Sequence, residues 1–225
     1  FSKSKLMALR QCEKRLWLEV HRPELREDSA ATQARFQVGY QVGDIAQQIY
    51  DPQARGAVVD AQIEGFNEAF ARSKLLLQST QPIFEAGFSA GGALCFADVM
   101  LPKRKKGQKV WRMVEVKSST SVKDYHRDDI AVQAFVAQSA GVALDSIALA
   151  HIDSSWTYPG DGDYAGLLKE NDLTAEAFLR TDEVKGWIAQ ANKVIAKSAE
   201  PAIKVGSHCN DSFACGFFDQ KKKKN

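Results

Sequence analysis

The sequence predicts an α/β protein, a mixed sheet flanked by helices, and three observations carry that expectation. Strand-like runs at 83–89, 93–101 and 110–118 follow one another closely enough to form a three-strand meander. Helix-patterned segments precede and follow that meander. A short apolar strand at 147–152 then comes after the next helix. The 225 residues, 44% hydrophobic and 26% charged, suit one large domain with appendages and exclude a disordered chain. We expect a single domain over 1–220, with its core at about 60–155 and a helical part at 1–59. A C-terminal helix and cysteine segment occupy 174–220, and a tail occupies 221–225.

Taken in order, Ser4 is placed to cap a first helix carrying Leu6, Leu9, Leu16 and Trp17, which ends before Pro23. A second helix is expected over 32–50. Its Gly39 and Gly43 lie four residues apart on one face, each costing about 1 kcal/mol against Ala, so a close packing contact is expected there. A third helix puts Ile63, Phe66, Phe70 and Leu77 on one face before Pro82. Gly91-Gly92 supplies a tight turn between the first two strands, and a basic loop joins the second to the third. A helix over 128–139 is stopped by Gly141. The Gly- and Asp-rich segment 156–166 reads as a loop, with Trp156, Tyr158 and Tyr164 as anchors or as platforms for unpaired bases. Asp182 is placed to cap an amphipathic helix with Val184, Trp187, Ile188, Ala191, Val194 and Ile195 on one stripe.

The net charge of +2 hides an uneven distribution. Residues 1–26 carry seven Lys or Arg against Glu13, Glu19 and Glu24, while 145–183 hold nine acids against Lys169 and Arg180. Lys103, Arg104, Lys105, Lys106 and Lys109 form a run without an acid, which suits either phosphate contacts or a solvated hairpin tip. No apolar run approaches the roughly 20 residues of a membrane span, so no membrane partner is expected. The N-terminus lacks the apolar stretch of an export signal, and four cysteines then point to a reducing cytoplasm.

Three residues carry chemistry. Glu115 and Lys117 are two apart on a strand and share a face, and hairpin pairing brings Asp98 beside Glu115. Two carboxylates there suit a hard cation such as Mg²⁺ or Mn²⁺, and a neighbouring lysine suits orienting a water or offsetting charge on a phosphoryl group. The set fits in-line hydrolysis of a phosphodiester. Its bland alternative is a surface ion pair across strands. A second Glu-x-Lys at Glu183-Val184-Lys185 falls at a helix start, where side chains two apart diverge, and reads as solvated. Glu85 on the first strand and Gln133 on the next helix are further candidates for the same site. Tyr125, His126 and Asp129 follow the Lys117 strand and suit contact with a phosphate or the attacking water.

The runs Phe96-Ala97-Asp98-Val99-Met100, Val114-Glu115-Val116-Lys117-Ser118-Ser119 and Asp129-Ile130-Ala131-Val132-Gln133-Ala134-Phe135-Val136, with Gly141, resemble the RecB-like branch of the PD-(D/E)xK nucleases. That branch includes the CRISPR-associated RecB-like exonucleases. The resemblance implies a restriction-endonuclease-like core and divalent-metal cleavage of DNA. It implies Asp98, Glu115 and the Val116 carbonyl as metal ligands, Lys117 as the catalytic lysine and Gln133 in the downstream glutamine motif. Glu85 matches an acidic position on the first strand of several members. Gly43 stands where many members carry a metal-site His, which thins the ligand set.

In the iron–sulfur subset of that branch, one N-terminal and three C-terminal cysteines hold a 4Fe–4S cluster. Cys12, Cys209 and Cys215 match three of the four, and no fourth follows. Glu13 stands where relatives often have Pro, and His208 is either a substitute ligand or solvated. Cys95 is expected in the core, on the strand face opposite Asp98. The leading expectation is a metal-dependent deoxyribonuclease acting on single strands or ends. The alternatives are a nuclease-fold domain that binds nucleic acid without turnover, and a redox-sensing iron–sulfur module. Nothing in the sequence specifies an oligomeric state.

Overall fold

The chain opens by pairing rather than coiling. The Leu94 N–H donates to the Phe1 carbonyl at 2.7 Å, and Ser2 bridges Leu94 in parallel. The computed structural model describes residues 1–211 and 214–218, so the expected tail at 221–225 lies outside them. Helix α1 (Lys3–Gln11) is capped by Ser2, whose hydroxyl accepts from the Lys5 N–H at 3.3 Å. Ser4 lies inside that helix, which corrects the expected cap. The first helix is also two, because Cys12 is extended (φ −169°, ψ 125°) before α2 (Glu13–His21). Leu6, Leu9 and, beyond the break, Leu16 enter the main core, while Leu18 joins a separate cluster with Cys209, Cys215 and Phe217.

Helix α3 (Ala30–Tyr50) starts at a Ser29 cap, and its first buried residue is Val42. A Cβ at Gly39 or Gly43 would meet nothing within 4 Å, so the expected packing contact is not there. The expected third helix is likewise interrupted. Gly65 (φ 85°) separates α4 (Ala61–Glu64) from α5 (Phe66–Leu76), leaving Ile63 84% and Phe66 59% exposed. Phe66, Phe70 and Phe96 form a triangle of rings 5.6–6.3 Å apart. The face still reaches the sheet, through Phe66 and Phe70 on Phe96 and through Ala69 and Leu77 in and against the main core.

Six strands form one mixed sheet in sequence order: β1 (Ala57–Val58), β2 (Ile83–Ala90), β3 (Ala93–Lys105), β4 (Gln108–Lys117), β5 (Leu144–Ile152) and β6 (Leu168–Asp172). The β1–β2 and β4–β5 pairs are parallel and the others antiparallel. Gly91-Gly92 (φ 63°, 84°) and Lys106-Gly107 (φ 49°, 81°) make two-residue left-handed turns, which match the strand twist. The basic run is therefore not a loop: Lys103, Arg104 and Lys105 end β3, and only two residues turn.

The parallel β4–β5 pair requires a crossover, and α6 (Asp124–Ser139) supplies it. Every residue from Ile130 to Ala137 is buried, because α6 lies between the sheet and α1 and α8. Helix α6 ends before Gly141 at φ 83°. Two more helices follow β6, α7 (Thr174–Leu179) and α8 (Thr181–Ile195). Asp182 sits in the first turn of α8 and not at its cap, which is Arg180, although the apolar stripe from Val184 to Val194 is buried as expected. On the opposite face of the sheet, Phe84, Val99, Val114 and Ala150 pack with Tyr50 of α3. None of the described helices is long and apolar enough to cross a membrane.

Candidate active site

The site lies where the central ladder opens. Strands β2 and β3 keep one register from Ile83–Met100 to Ala90–Ala93, yet the Glu85–Asp98 rung carries no pairing. Glu85 has φ 56°, a left-handed conformation that is costly for a side chain of its size. Ile83 and Ala86, three apart, both enter the main core, and so do Ala97 and Met100. The in–out alternation thus slips on both strands at one rung. Cys95 is a core thiol, as expected, and burial with the Glu115 and Asp129 charges, against that of Lys3, pushes its pKa up to about 12.

On β4 the residues one rung beyond the Val99–Val114 pair are free of β3, and the Asp98 carboxylate takes the place of a strand partner. Its Oδ2 accepts from the Val116 N–H at 2.7 Å. Glu115, 1% exposed, is the hub. Its Oε1 accepts from Lys117 Nζ at 2.5 Å and from Lys3 Nζ at 2.8 Å, and its Oε2 accepts from Gln133 Nε2 at 2.5 Å. Asp129 closes a ring of charges, with Lys117 at 2.6 Å and Lys3 at 3.1 Å. Gln133 is fully buried with its Oε1 unpartnered, an acceptor left open beside the hub.

The charges shift one another. Burial would raise Asp129, but the Lys117 and Lys3 ammoniums hold it well below the ordinary carboxylate range. Burial opposes the charge of both lysines, yet Asp129 and Glu115 raise Lys3 and Lys117 above the ordinary lysine range. Asp98 and Glu85 move the other way, pushed up by burial and by the charge of Glu115. Four carboxylates stand with two ammoniums, and the two without a lysine hydrogen bond, Asp98 and Glu85, are the two pushed toward their neutral forms.

Asp98, Glu115, Lys117, Gln133 and the Val116 backbone are therefore brought together, and Glu85 is electrostatically part of the group. Sequence reasoning missed Lys3 and gave Asp129 too small a part. One signal was present: α1 starts with Lys3 and Lys5 and no acid in its first turn, which opposes the helix dipole unless a carboxylate lies nearby. His126 is buried, its Nδ1 accepting from the Lys123 N–H at 3.1 Å, and burial lowers its pKa to about 4. Tyr125 packs edge-on against that ring at 4.3 Å, close enough to Lys117 and Arg35 to feel their charge.

Lys103, Arg104, Lys105 and Lys106 are not brought to the site. Lys103, Arg104 and Lys105 lie five to seven residues along β3 from Asp98, a span of about 17–23 Å at 3.3 Å per residue, and Lys106 is in the turn beyond them. Lys105 pairs with Asp145, and Lys109 Nζ donates to the Leu77 and Ser79 carbonyls. The loop aromatics Trp156, Tyr158 and Tyr164 stack on one another at 5.4–6.2 Å.

All four cysteines are buried thiols. The cysteine-bearing ends meet: Gln11 Nε2 donates to the Asp211 carbonyl at 2.6 Å, and the Glu27 N–H donates to the Gly216 carbonyl at 2.8 Å. His208 Nε2 lies 3.5 Å from Cys209 Sγ. Among the described residues, no three His, Cys, Asp or Glu side chains converge as a ready metal cage, here or at Glu115. Mg²⁺ does not require one, since it is commonly bound by one or two carboxylates and retained waters. The hard oxygens of Asp98 and Glu115, the excess of carboxyl groups over ammoniums and the open Gln133 Oε1 fit such an ion.

No protein-family model and no curated protein matches this chain. Among solved structures it is similar to the crystal structure of SSO0001, at 13% identity and a TM-score of 0.38, over 90% of this chain and 87% of that one.

Proposed function

We propose that the protein is a Mg²⁺- or Mn²⁺-dependent nuclease of the RecB-like PD-(D/E)xK type, with a restriction-endonuclease-like core, hydrolysing phosphodiester bonds of DNA at single strands or ends. The observation that carries this reading is the buried Glu115 carboxylate held between Lys117 and Gln133, with Asp98 fixed to the next backbone amide. Asp98, Glu115 and the Val116 carbonyl are the groups that would hold the ion. A divalent ion there supplies a lowered pKa for bound water and polarisation of the phosphate. Lys117 is anchored by Asp129 and so presents a fixed ammonium, suited to orienting the attacking water or offsetting charge on the phosphoryl oxygens. Gln133 fixes one oxygen of Glu115 so that the other keeps its aim.

A second reading, a domain that binds nucleic acid without turnover, is favoured by one observation. Both oxygens of Glu115 are already occupied by donors from this chain. The assay that separates the two incubates end-labelled DNA with Mg²⁺ or Mn²⁺, alongside Glu115→Ala and Lys117→Ala. The nuclease reading expects cleavage by the wild type and a loss on the order of 10²–10³-fold in each variant. Equal background cleavage in all three with DNA binding retained establishes the second reading instead. A 4Fe–4S cluster that draws on Cys12, Cys209 and Cys215 belongs to the same proposal only in a longer chain that supplies the fourth ligand, and that protein purified without oxygen should then be brown and contain iron.

A further inference from the structure

The Lys3 ammonium comes from an element that no site motif includes, yet it touches both acids of the hub, Glu115 at 2.8 Å and Asp129 at 3.1 Å. Its backbone is fixed. The Phe1 ammonium donates to the Gly92 carbonyl at 2.9 Å, Leu94 donates to the Phe1 carbonyl, and Ser2 caps the helix that Lys3 begins. What remains adjustable is the side chain, one-fifth exposed along its length while Glu115 is 1% exposed.

Glu115 Oε1 accepts from two ammoniums at once, and Oε2 accepts from Gln133. A carboxylate oxygen with two such donors has little room left for a metal ion, so one donor must leave before an ion is bound there. Lys117 is the more tightly held of the two, at 2.5 and 2.6 Å against 2.8 and 3.1 Å. It also stands two residues from Glu115 on the same strand, whereas Lys3 reaches across from α1.

We propose that Lys3 is a positioning residue of the site, its ammonium occupying the Glu115 oxygen that the divalent cation would need and withdrawing toward Asp129 and solvent when the ion binds. The inference rests on the metal-site reading above and makes the N-terminal segment part of the site. While the ion is absent, the ammonium keeps two buried carboxylates together and oriented. Once the ion is bound, the same ammonium is free to turn toward solvent or an incoming phosphate.

Two measurements on the full chain test it without relying on cleavage. Mn²⁺ binding is followed by electron paramagnetic resonance for the wild type, Lys3→Met and Lys3→Arg. Removing the competing cation should tighten Mn²⁺ binding by about fivefold or more in Lys3→Met, while Lys3→Arg should bind no more tightly than the wild type. In the wild type, acylation of Lys3 by an amine-reactive ester, read by mass spectrometry, should speed up at least about threefold on adding Mn²⁺, with Lys193 as the unaffected control. Weaker Mn²⁺ binding by Lys3→Met, or Lys3 acylation unchanged by bound Mn²⁺, overturns the role of Lys3 and leaves the nuclease reading standing. No Mn²⁺ binding by wild type or variant overturns both. If Lys3→Met does not fold, the acylation result decides alone.

Discussion

The two ends of the β3–β4 hairpin hold comparable numbers of charges and treat them oppositely. At the turn, Lys103, Arg104, Lys105 and Lys106 are exposed or nearly so, and Lys105 has a surface partner in Asp145. At the other end, Glu115 and Asp129 are buried with Lys3 and Lys117 in contact, and Asp98 is tied to the backbone. An exposed charge is screened and pairs weakly, whereas a buried one must be neutralised or perturbed. Charge density along a sequence therefore marks the end that is easiest to see and the least constrained. The constrained end is built from few charges contributed by distant parts of the chain.

That contrast can be sharpened by pH. His126 packs beside the buried charges, facing Lys117, Asp129, Glu115 and Lys123, and burial followed by the Lys117 charge lowers its pKa from about 6.5 to about 4. The folded state thus disfavours the protonated ring. The contribution of neutral His126 to stability is complete above pH 6.5 and is lost as pH falls from 6.5 toward 4. The loss should reach on the order of 3 kcal/mol. His126→Asn keeps an acceptor for the Lys123 N–H and should remove this part of the pH dependence, as read from melting temperatures at pH 7.5 and 4.5. An equal pH dependence in both proteins would show that the buried end is not strained by protonation of the ring. A smaller effect is expected from Gln133→Leu, which fits the same space but leaves Glu115 Oε2 without its donor. About 1–2 kcal/mol should be lost, or several degrees in melting temperature. Cleavage, where present, should fall with it.

The legible parts of this molecule are those set by local pattern. A period of two put Glu115 and Lys117 on one face, a hairpin put Asp98 near them, and the helix expected over 128–139 carried Gln133 as a candidate for the same site. The parts that stayed hidden depend on tertiary contacts. Lys3 is 112 residues from Glu115, and only the layer order of α1 over β3 and α6 brings them together. The break at Cys12 has no Gly or Pro to mark it, and beyond it α2 serves two clusters, with Leu16 in the main core and Leu18 in the one that holds Cys209 and Cys215. Gly39 and Gly43 look like a packing face, but α3 has no neighbour there. The left-handed Glu85 contradicts its own residue type, as functional positions often do.

The smallest expected effect lies at the exposed end. Replacing Lys103, Arg104, Lys105 and Lys106 together with Ala removes four charges about 15–25 Å from Asp98 and, among the described residues, breaks one ion pair, Lys105–Asp145. Stability should change by no more than about 0.5 kcal/mol, because these side chains support neither core nor cap. Mn²⁺ affinity should be unchanged, since at that distance and physiological salt the charges are screened from the hub. If the hairpin contacts DNA, affinity should fall and become less sensitive to salt, by up to about 0.7 in the logarithmic slope for each lost phosphate contact on a single strand. A shift in Mn²⁺ affinity as large as that expected of Lys3→Met would break the contrast between the two ends, because it would mean that the exposed charges reach the buried ones through the strands that join them.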